Sequence, residues 1–299
     1  MDWERSRKAV PRFEFLAEAG STNDELRIAA TGPDAAAWPT GAVIVTDNQT
    51  RGRGRLGRTW LAPTGKTLAI SVLLRPELPG GAPFPPDGYG WIPLIAGAAM
   101  TEAVQRAVEA GRSVASSGDR AADAASASPT GADEALDADG TGGVVVELKW
   151  PNDVLISGFK VCGILSELLP ESGAVVVGAG LNLTLDEHDL PTLTSTSLLL
   201  VTGTQPDADV VLADYLSGFL ALFRAFVEHG ADAAASGIAD RVSSLCGTIG
   251  SEVRVELPGD RELIGVAERI DRDGRLVVRD RENGEPQSVA AGDVTHLRY

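Results

Sequence analysis

The sequence predicts an α+β fold: a buried β-sheet with helices packed on it, followed by a small β barrel. Three observations carry that prediction. Short runs at 41–46, 67–74 and 174–178 are almost wholly apolar and rich in β-branched residues, as strands buried on both faces are. Longer segments repeat large apolar side chains at helical spacing. After about Ser243, short alternating strands separated by Pro258-Gly259-Asp260 and Asp273-Gly274 replace both patterns, which is the mark of a small barrel. At 299 residues the chain has room for one large domain, expected over 1–242, and a small one over 243–299.

The elements follow in order. Ser21-Thr22-Asn23-Asp24-Glu25-Leu26-Arg27 starts a helix, with a hydroxyl residue to cap it and acids in the first turn. Strands are predicted at 41–46 and 67–74, with a loop of glycine and arginine between them. Apolar spacing makes 91–109 helical. From Gly111 to Gly143 the chain is mostly Ala, Gly, Ser and Asp, with Val114 and Leu136 its only large aliphatic residues. Such a stretch buries too little surface to offset its ordering entropy, so it reads as a disordered insertion. A strand over 144–150 then ends at Pro151-Asn152-Asp153. Val154-Leu155-Ile156 and Phe159-Lys160-Val161 flank Ser157-Gly158 as a hairpin, and 174–178 is a further strand. Over 207–230, Val211, Tyr215, Leu216, Phe219, Leu222, Phe223 and Phe226 recur at helical spacing, with Asp207 as cap and Gly230 as stop. Strands at 252–257 and 275–279 belong to the barrel.

Composition excludes several classes. A hydrophobic fraction of 43% with 23% charged residues is that of a globular protein. No run approaches the roughly 20 apolar residues of a membrane span, and the charged start, Met1 to Lys8, is not a secretory signal. A cytoplasmic protein without membrane partners is expected. Cys162 and Cys246 lie far apart with neither CxxC spacing nor a histidine cluster, so they read as small buried apolar residues. A formal net charge of −16 argues against DNA or other nucleic acid as a partner.

Gln49-Thr50-Arg51-Gly52-Arg53-Gly54-Arg55-Leu56-Gly57-Arg58-Thr59-Trp60 is the most informative segment. Gly52, Gly54 and Gly57 satisfy GxGxxG, but a strand follows instead of a helix, and arginines stand where a dinucleotide turn needs small neighbours. Glycines let the backbone approach a ligand, and guanidinium groups grip anions through paired hydrogen bonds. Anion binding is therefore the expected role of the loop, the alternative being a mobile basic surface loop. Lys160 sits in an otherwise apolar strand, where burying its charge is costly unless an anion compensates. By composition alone, Asn152-Asp153 after proline is a turn.

Taken with Lys149-Trp150-Pro151-Asn152-Asp153, this loop resembles the biotin protein ligase family, whose members carry GRGRxGR followed by KWPND. The resemblance takes in Ser21-Thr22-Asn23 upstream, the strand Lys160-Val161-Cys162-Gly163-Ile164-Leu165, and Gly178-Ala179-Gly180-Leu181-Asn182, similar to the family's G-x-G-x-N segment. It spans residues 21 to 182; the long helix and the barrel agree in pattern alone. The implied fold is a mixed β-sheet flanked by helices, as in class II aminoacyl-tRNA synthetases and biotin ligases, followed by an SH3-like β barrel. Members that double as repressors carry a winged helix-turn-helix before Ser-Thr-Asn, whereas 20 residues precede it here, so the form without a DNA-binding domain is expected.

The resemblance implies ATP-dependent formation of biotinyl-5′-adenylate and transfer of biotin to a lysine of the carrier domain of a biotin-dependent carboxylase. It places biotin against Ser21, Thr22, Gln49, Gly52, Arg53, Arg55, Lys160 and Gly163. ATP falls to Arg55, Arg58, Trp60, Lys149, Asn152 and Asn182, with Mg2+ as its companion ion. Lys160, Arg58 and Lys149 would balance charge at the reacting phosphorus, and Asp153 would serve as base or metal partner. Trp60 reads equally as core packing, and Asn182 as a strand-end cap. The rivals are a lipoate ligase, a ligand-sensing repressor and, through GxGxxG, a nicotinamide enzyme.

Overall fold

The computed structural model describes residues 2–60, 62–122, 143–257, 259, 261–290 and 292–297. Helix α1 (Glu4–Ala9) and strand β1 (Arg12–Phe15) open the chain, and neither is anticipated from the sequence. Helix α2 (Thr22–Thr31) precedes strand β2 (Ala42–Thr46), the two-residue strands β3 (Gly52–Arg53) and β4 (Thr59–Trp60), and strand β5 (Thr67–Leu74). The short strands β6 (Glu77–Leu78) and β7 (Ala82–Pro83) lead to helix α3 (Ile92–Ala122). Then come β8 (Val146–Lys149), β9 (Asp153–Ile156), β10 (Phe159–Leu169) and β11 (Ala174–Asn182). Helices α4 (Leu198–Thr202), α5 (Ala208–Glu228) and α6 (Ile238–Leu245) close this region, and α6 crosses the division expected at 242/243.

Seven of the strands form one mixed sheet in the order β1-β2-β5-β11-β10-β9-β8, with β1 and β2 parallel and the remaining pairs antiparallel. Because side chains alternate across a strand, the sheet has two distinct faces. Val43, Val45, Ile70, Val72, Val175 and Val177 point to α3 and α5 in the main core. Ile44, Leu73 and Val176 point the other way, onto Leu26 and Ala30 of α2. Both faces are covered, which is why these strands read as continuous apolar runs.

Beyond α1, β1 and the end of α6, the structure also departs from the sequence-based expectation in α3 and β10. Helix α3 runs on to Ala122, so 111–122 is not a disordered segment; the rest of that segment, 123–142, lies outside the described residues. Gly111 lies so close to α4 that a Cβ there would stand 2.7 Å from Thr202 Cβ. Strand β10 extends to Leu169, beyond the expected hairpin, after a bulge between Lys160 and Cys162. Its tight turn is as expected: Ser157 and Gly158 both have positive φ, 48° and 82°, as a type I′ turn requires. Finally, α5 is apolar and long enough to cross a membrane by length and composition. It buries Tyr215, Leu216, Phe219, Phe223 and Phe226 in the core instead, with Asp207 capping it as predicted.

The C-terminal strands β12 (Glu252–Leu257), β13 (Arg261–Ile270), β14 (Leu276–Asp280), β15 (Pro286–Val289) and β16 (Asp293–His296) form an antiparallel sheet in the order β15-β14-β13-β12-β16. It rests on the main domain through indole groups. Trp91 Nε1 donates to Arg272 O (2.7 Å) and Trp150 Nε1 to Gly274 O (3.1 Å). Both cysteines are buried and unpaired in disulfides, and burial pushes the Cys162 thiol up to about 12.

Candidate active site

A cleft of about 620 Å3 opens on the α2 face of the sheet, where β5, β10 and β11 meet α2 and the arginine loop. Three strand positions on its floor lack side chains. A Cβ at Gly178 would stand 2.5 Å from Asn23 Oδ1, one at Gly180 2.6 Å from the Trp60 indole, and one at Gly163 2.9 Å from Lys160 Nζ. Asn23, Trp60 and Lys160 thus lie directly on the sheet backbone. The Trp60 indole is spread over Gly180 and lines the cleft, half-buried.

The start of α2 forms one wall. Ser21 occupies the N-cap position, yet its side chain makes no capping hydrogen bond, which leaves the hydroxyl to the cleft. Gln49 Oε1 accepts from Thr22 N (2.8 Å) and from Thr22 Oγ1 (3.2 Å). Asn23 Nδ2 donates to Glu167 Oε2 (2.6 Å), and the Ser71 hydroxyl lies 2.6 Å from Asn23 Oδ1. Gly52 stands behind this wall: a Cβ there would be 2.1 Å from Trp60 O and 2.4 Å from Gln49 Nε2.

The arginine loop is a narrow ribbon in which Gly52 pairs with Trp60 and Arg53 with Thr59. At its apex Leu56 takes a positive φ of 55° and is 74% exposed. Arg53 forms a bidentate pair with Asp24, at 2.6 and 2.8 Å. Arg55 donates to Asn152 Oδ1 (2.9 Å) and to Gly292 O (3.4 Å), and its burial pulls the guanidinium pKa down. Arg58 pairs with Asp293 of the C-terminal sheet.

The opposite wall is Lys149-Trp150-Pro151-Asn152-Asp153, with a cis bond between Trp150 and Pro151. Asn152 is fixed by its own backbone and side chain: Nδ2 donates to Ile164 O and O accepts from Ile164 N, both at 2.8 Å. Lys160 Nζ lies 2.6 Å from Asp153 Oδ1, an oxygen shut off from solvent. Burial pushes the Lys149 ammonium pKa down, with Lys160 and Arg58 adding to the effect and Asp153 opposing it. A bound polyanion would offset that cost. Asn182 donates through Nδ2 to Thr196 O (2.9 Å), tying the segment 192–196 along the cleft edge.

All the residues singled out from the sequence line this one cleft except Gly52, and Lys160 shares it with Arg53, Arg55 and Arg58. Residues 21–182 match the model of the biotin/lipoate A/B protein ligase family. The chain belongs to that family. Residues 248–297 match the biotin protein ligase C-terminal domain. Among curated members, the biotin--[acetyl-CoA-carboxylase] ligase of Mycobacterium tuberculosis is 35% identical over 96% of this chain and 90% of its own length. The bifunctional ligase/repressor BirA of Bacillus subtilis is 28% identical over 64% of this chain and 49% of its own. Among solved structures, the biotin protein ligase of Aquifex aeolicus in complex with biotin and ATP superposes with a TM-score of 0.67, at 24% identity, over 97% of this chain and all of that one.

Measured against this biotin/lipoate ligase fold, the site's electrostatics suit two anionic substrates. Five cations, Arg53, Arg55, Arg58, Lys149 and Lys160, face two carboxylates, Asp153 and Asp293, along the cleft, although the chain as a whole is acidic. Among the described residues no group of three His, Cys, Asp or Glu could hold a metal ion. Two carboxylates fit a magnesium ion that arrives on phosphates and keeps much of its water. Sequence reasoning missed Asn23, Ser71, Glu167, Asp293 and the segment 192–195; of these only Asn23, inside Ser-Thr-Asn, had a signal that could have found it.

Proposed function

We propose that the chain is an ATP-dependent biotin protein ligase, which forms biotinyl-5′-AMP and transfers biotin to a lysine of a biotin carboxyl carrier domain. The observation that carries this reading is the meeting of Lys160 with the arginine loop and KWPND in one cleft. In the first step a carboxylate oxygen of biotin attacks the α-phosphorus of ATP, a P–O bond forms, and pyrophosphate leaves with the electrons of the broken one. Negative charge gathers on the nonbridging oxygens, and Lys160, Arg58 and Lys149 balance it. Asp153 positions the Lys160 ammonium. Asp153 would be the partner of a magnesium ion if it does not serve as base, and the ion would supply further charge neutralisation when bound.

Ser21, Thr22 and Gln49 offer hydroxyl and amide groups to the ureido ring, with Gly52, Gly163, Arg53 and Arg55 completing the biotin side. Trp60, Asn152 and Asn182 take the nucleotide side with Arg55 and Arg58. In the second step the carrier amine attacks the acyl carbon of the mixed anhydride and AMP departs. The amine gives up a proton, for which Asp153 is the candidate acceptor if it does not partner the metal. The division into a catalytic domain and a C-terminal module falls about the end of α6. Unpaired cysteines suit a reducing compartment, in line with a cytoplasmic site of action.

The test is mass spectrometry of a carrier domain incubated with the chain, ATP, magnesium and biotin, each omitted in turn, with lipoate as competitor. Biotin on one lysine, dependent on all four components and indifferent to lipoate, is expected, and Lys160→Ala should lose it by about 100-fold or more, as removal of one charge-stabilising group does. Lipoyl transfer in place of biotin would overturn the reading in favour of a lipoate ligase.

A further inference from the structure

We infer that Asp24 and Glu167 are positioning residues: they hold the base of the arginine loop through Arg53 before ligand arrives, and thereby set biotin affinity and adenylate retention. This rests on the ligase reading above for its kinetic part alone. Strands β3 and β4 are two residues long, and so short a ribbon has no independent stability. Something outside the ribbon must fix it. Arg53, at the end of β3, meets carboxylates on two rigid elements. Asp24, in the first turn of α2, takes both guanidinium nitrogens at 2.6 and 2.8 Å, and Glu167, on β10, lies 3.3 Å from one of them.

The network goes on into the biotin side of the cleft. The second oxygen of Glu167 accepts from Asn23 Nδ2 (2.6 Å), Asn23 Oδ1 meets Ser71, and Ser71 lies 2.8 Å from Thr22 Oγ1, which reaches Gln49. One connected set of side chains therefore joins the wall that faces biotin to the base of the loop that faces the phosphates. Its charges reinforce one another: Arg53 holds the Asp24 carboxyl below its usual range, and Asp24 raises the Arg53 pKa. Arg27 also reaches Asp24, at 2.5 Å, but from the outer side of α2. With its fork occupied by carboxylates, Arg53 acts as a strut, and its part on the biotin side falls to its backbone rather than its guanidinium. The opposite arrangement is a decoy, in which the two acids withhold Arg53 from the ligand; the sign of the effect separates the two.

The experiment compares the full chain with Asp24→Asn, Glu167→Gln, the double variant and the conservative Asp24→Glu. Pyrophosphate release with biotin varied gives KM and kcat, and dilution of preformed adenylate complex gives the release rate. The double variant should raise the KM for biotin and the release rate about tenfold, with kcat within about twofold, and Asp24→Glu should stay near the parent. A lowered KM would establish the decoy, and unchanged KM and release would remove any role. Trypsin cutting after Arg51, Arg53, Arg55 and Arg58 in the absence of ligand reads the strut without reference to biotin: about tenfold faster cutting in the double variant is expected, at unchanged melting temperature. Equal cutting would overturn the strut even if the parent proved inert toward biotin, a result that would instead overturn the proposed function.

Discussion

At the scale of single residues, the site is made as much by missing side chains as by charged ones. Gly180 has ordinary backbone freedom, so its importance lies in contact: the Trp60 indole occupies the space its Cβ would need. Gly180→Ala should push the indole off the sheet and raise the KM for ATP about fivefold or more, the cost of overpacking a tight contact. Pyrophosphate release with ATP varied checks this; an unchanged KM for ATP alongside a raised KM for biotin would place Trp60 on the other substrate. The charged members of the site were legible in the sequence because an arginine or lysine among apolar or glycine neighbours needs an explanation. Asp293 was not legible. It lies 235 positions from Arg58 and is one acid among 42 Asp and Glu residues, so nothing local marks it.

At the scale of elements, the loop from Arg53 to Trp60 joins two regions with different tasks. Its base pairs strand to strand, while its apex reaches across to Asn152 and Gly292 through Arg55. Arg55→Gly removes that bridge and gives the apex a second glycine beside Gly54. The expected outcome is loss of retention, so that free biotinyl-5′-AMP labels lysines of a bystander protein. Blotting for biotin on added albumin measures it, and a signal no higher than the parent's would show that retention lies elsewhere. Buried, short, β-branched strands were legible as elements. Beyond Leu165 strand β10 is not legible, because Ser166 and Glu167 interrupt its apolar pattern, and Glu167 is an anchor of the arginine loop. Helix α1 and strand β1 left too short a pattern to detect, although Asp209 of α5 fastens α1 through Ser6 N and Ser6 Oγ, at 2.9 and 2.6 Å.

At the scale of the whole molecule, the C-terminal sheet is bound to the very motif that forms one wall of the cleft. Thr248 Oγ1 accepts from Trp150 N (3.0 Å), Gly274 O accepts from Trp150 Nε1 (3.1 Å), and Asp293 holds Arg58. Gly274 permits this through a left-handed backbone, φ 80°, at a point where a Cβ would stand 2.9 Å from Gly90 O. A β-branched residue there is strained by about 1–3 kcal/mol and also clashes with a backbone that cannot yield. Gly274→Val should therefore lower the melting temperature by several degrees and, because the same turn fixes Trp150, raise the KM for ATP as well. Arg281→Ala, which removes an exposed ion pair with Glu252 on the same sheet, serves as a comparison substitution expected to move neither by a comparable amount. If Gly274→Val melts earlier but keeps parental kinetics at a temperature where it is folded, then the C-terminal sheet supports the fold without shaping the nucleotide side. If both move together while Arg281→Ala moves neither by a comparable amount, the sheet is part of the active-site wall.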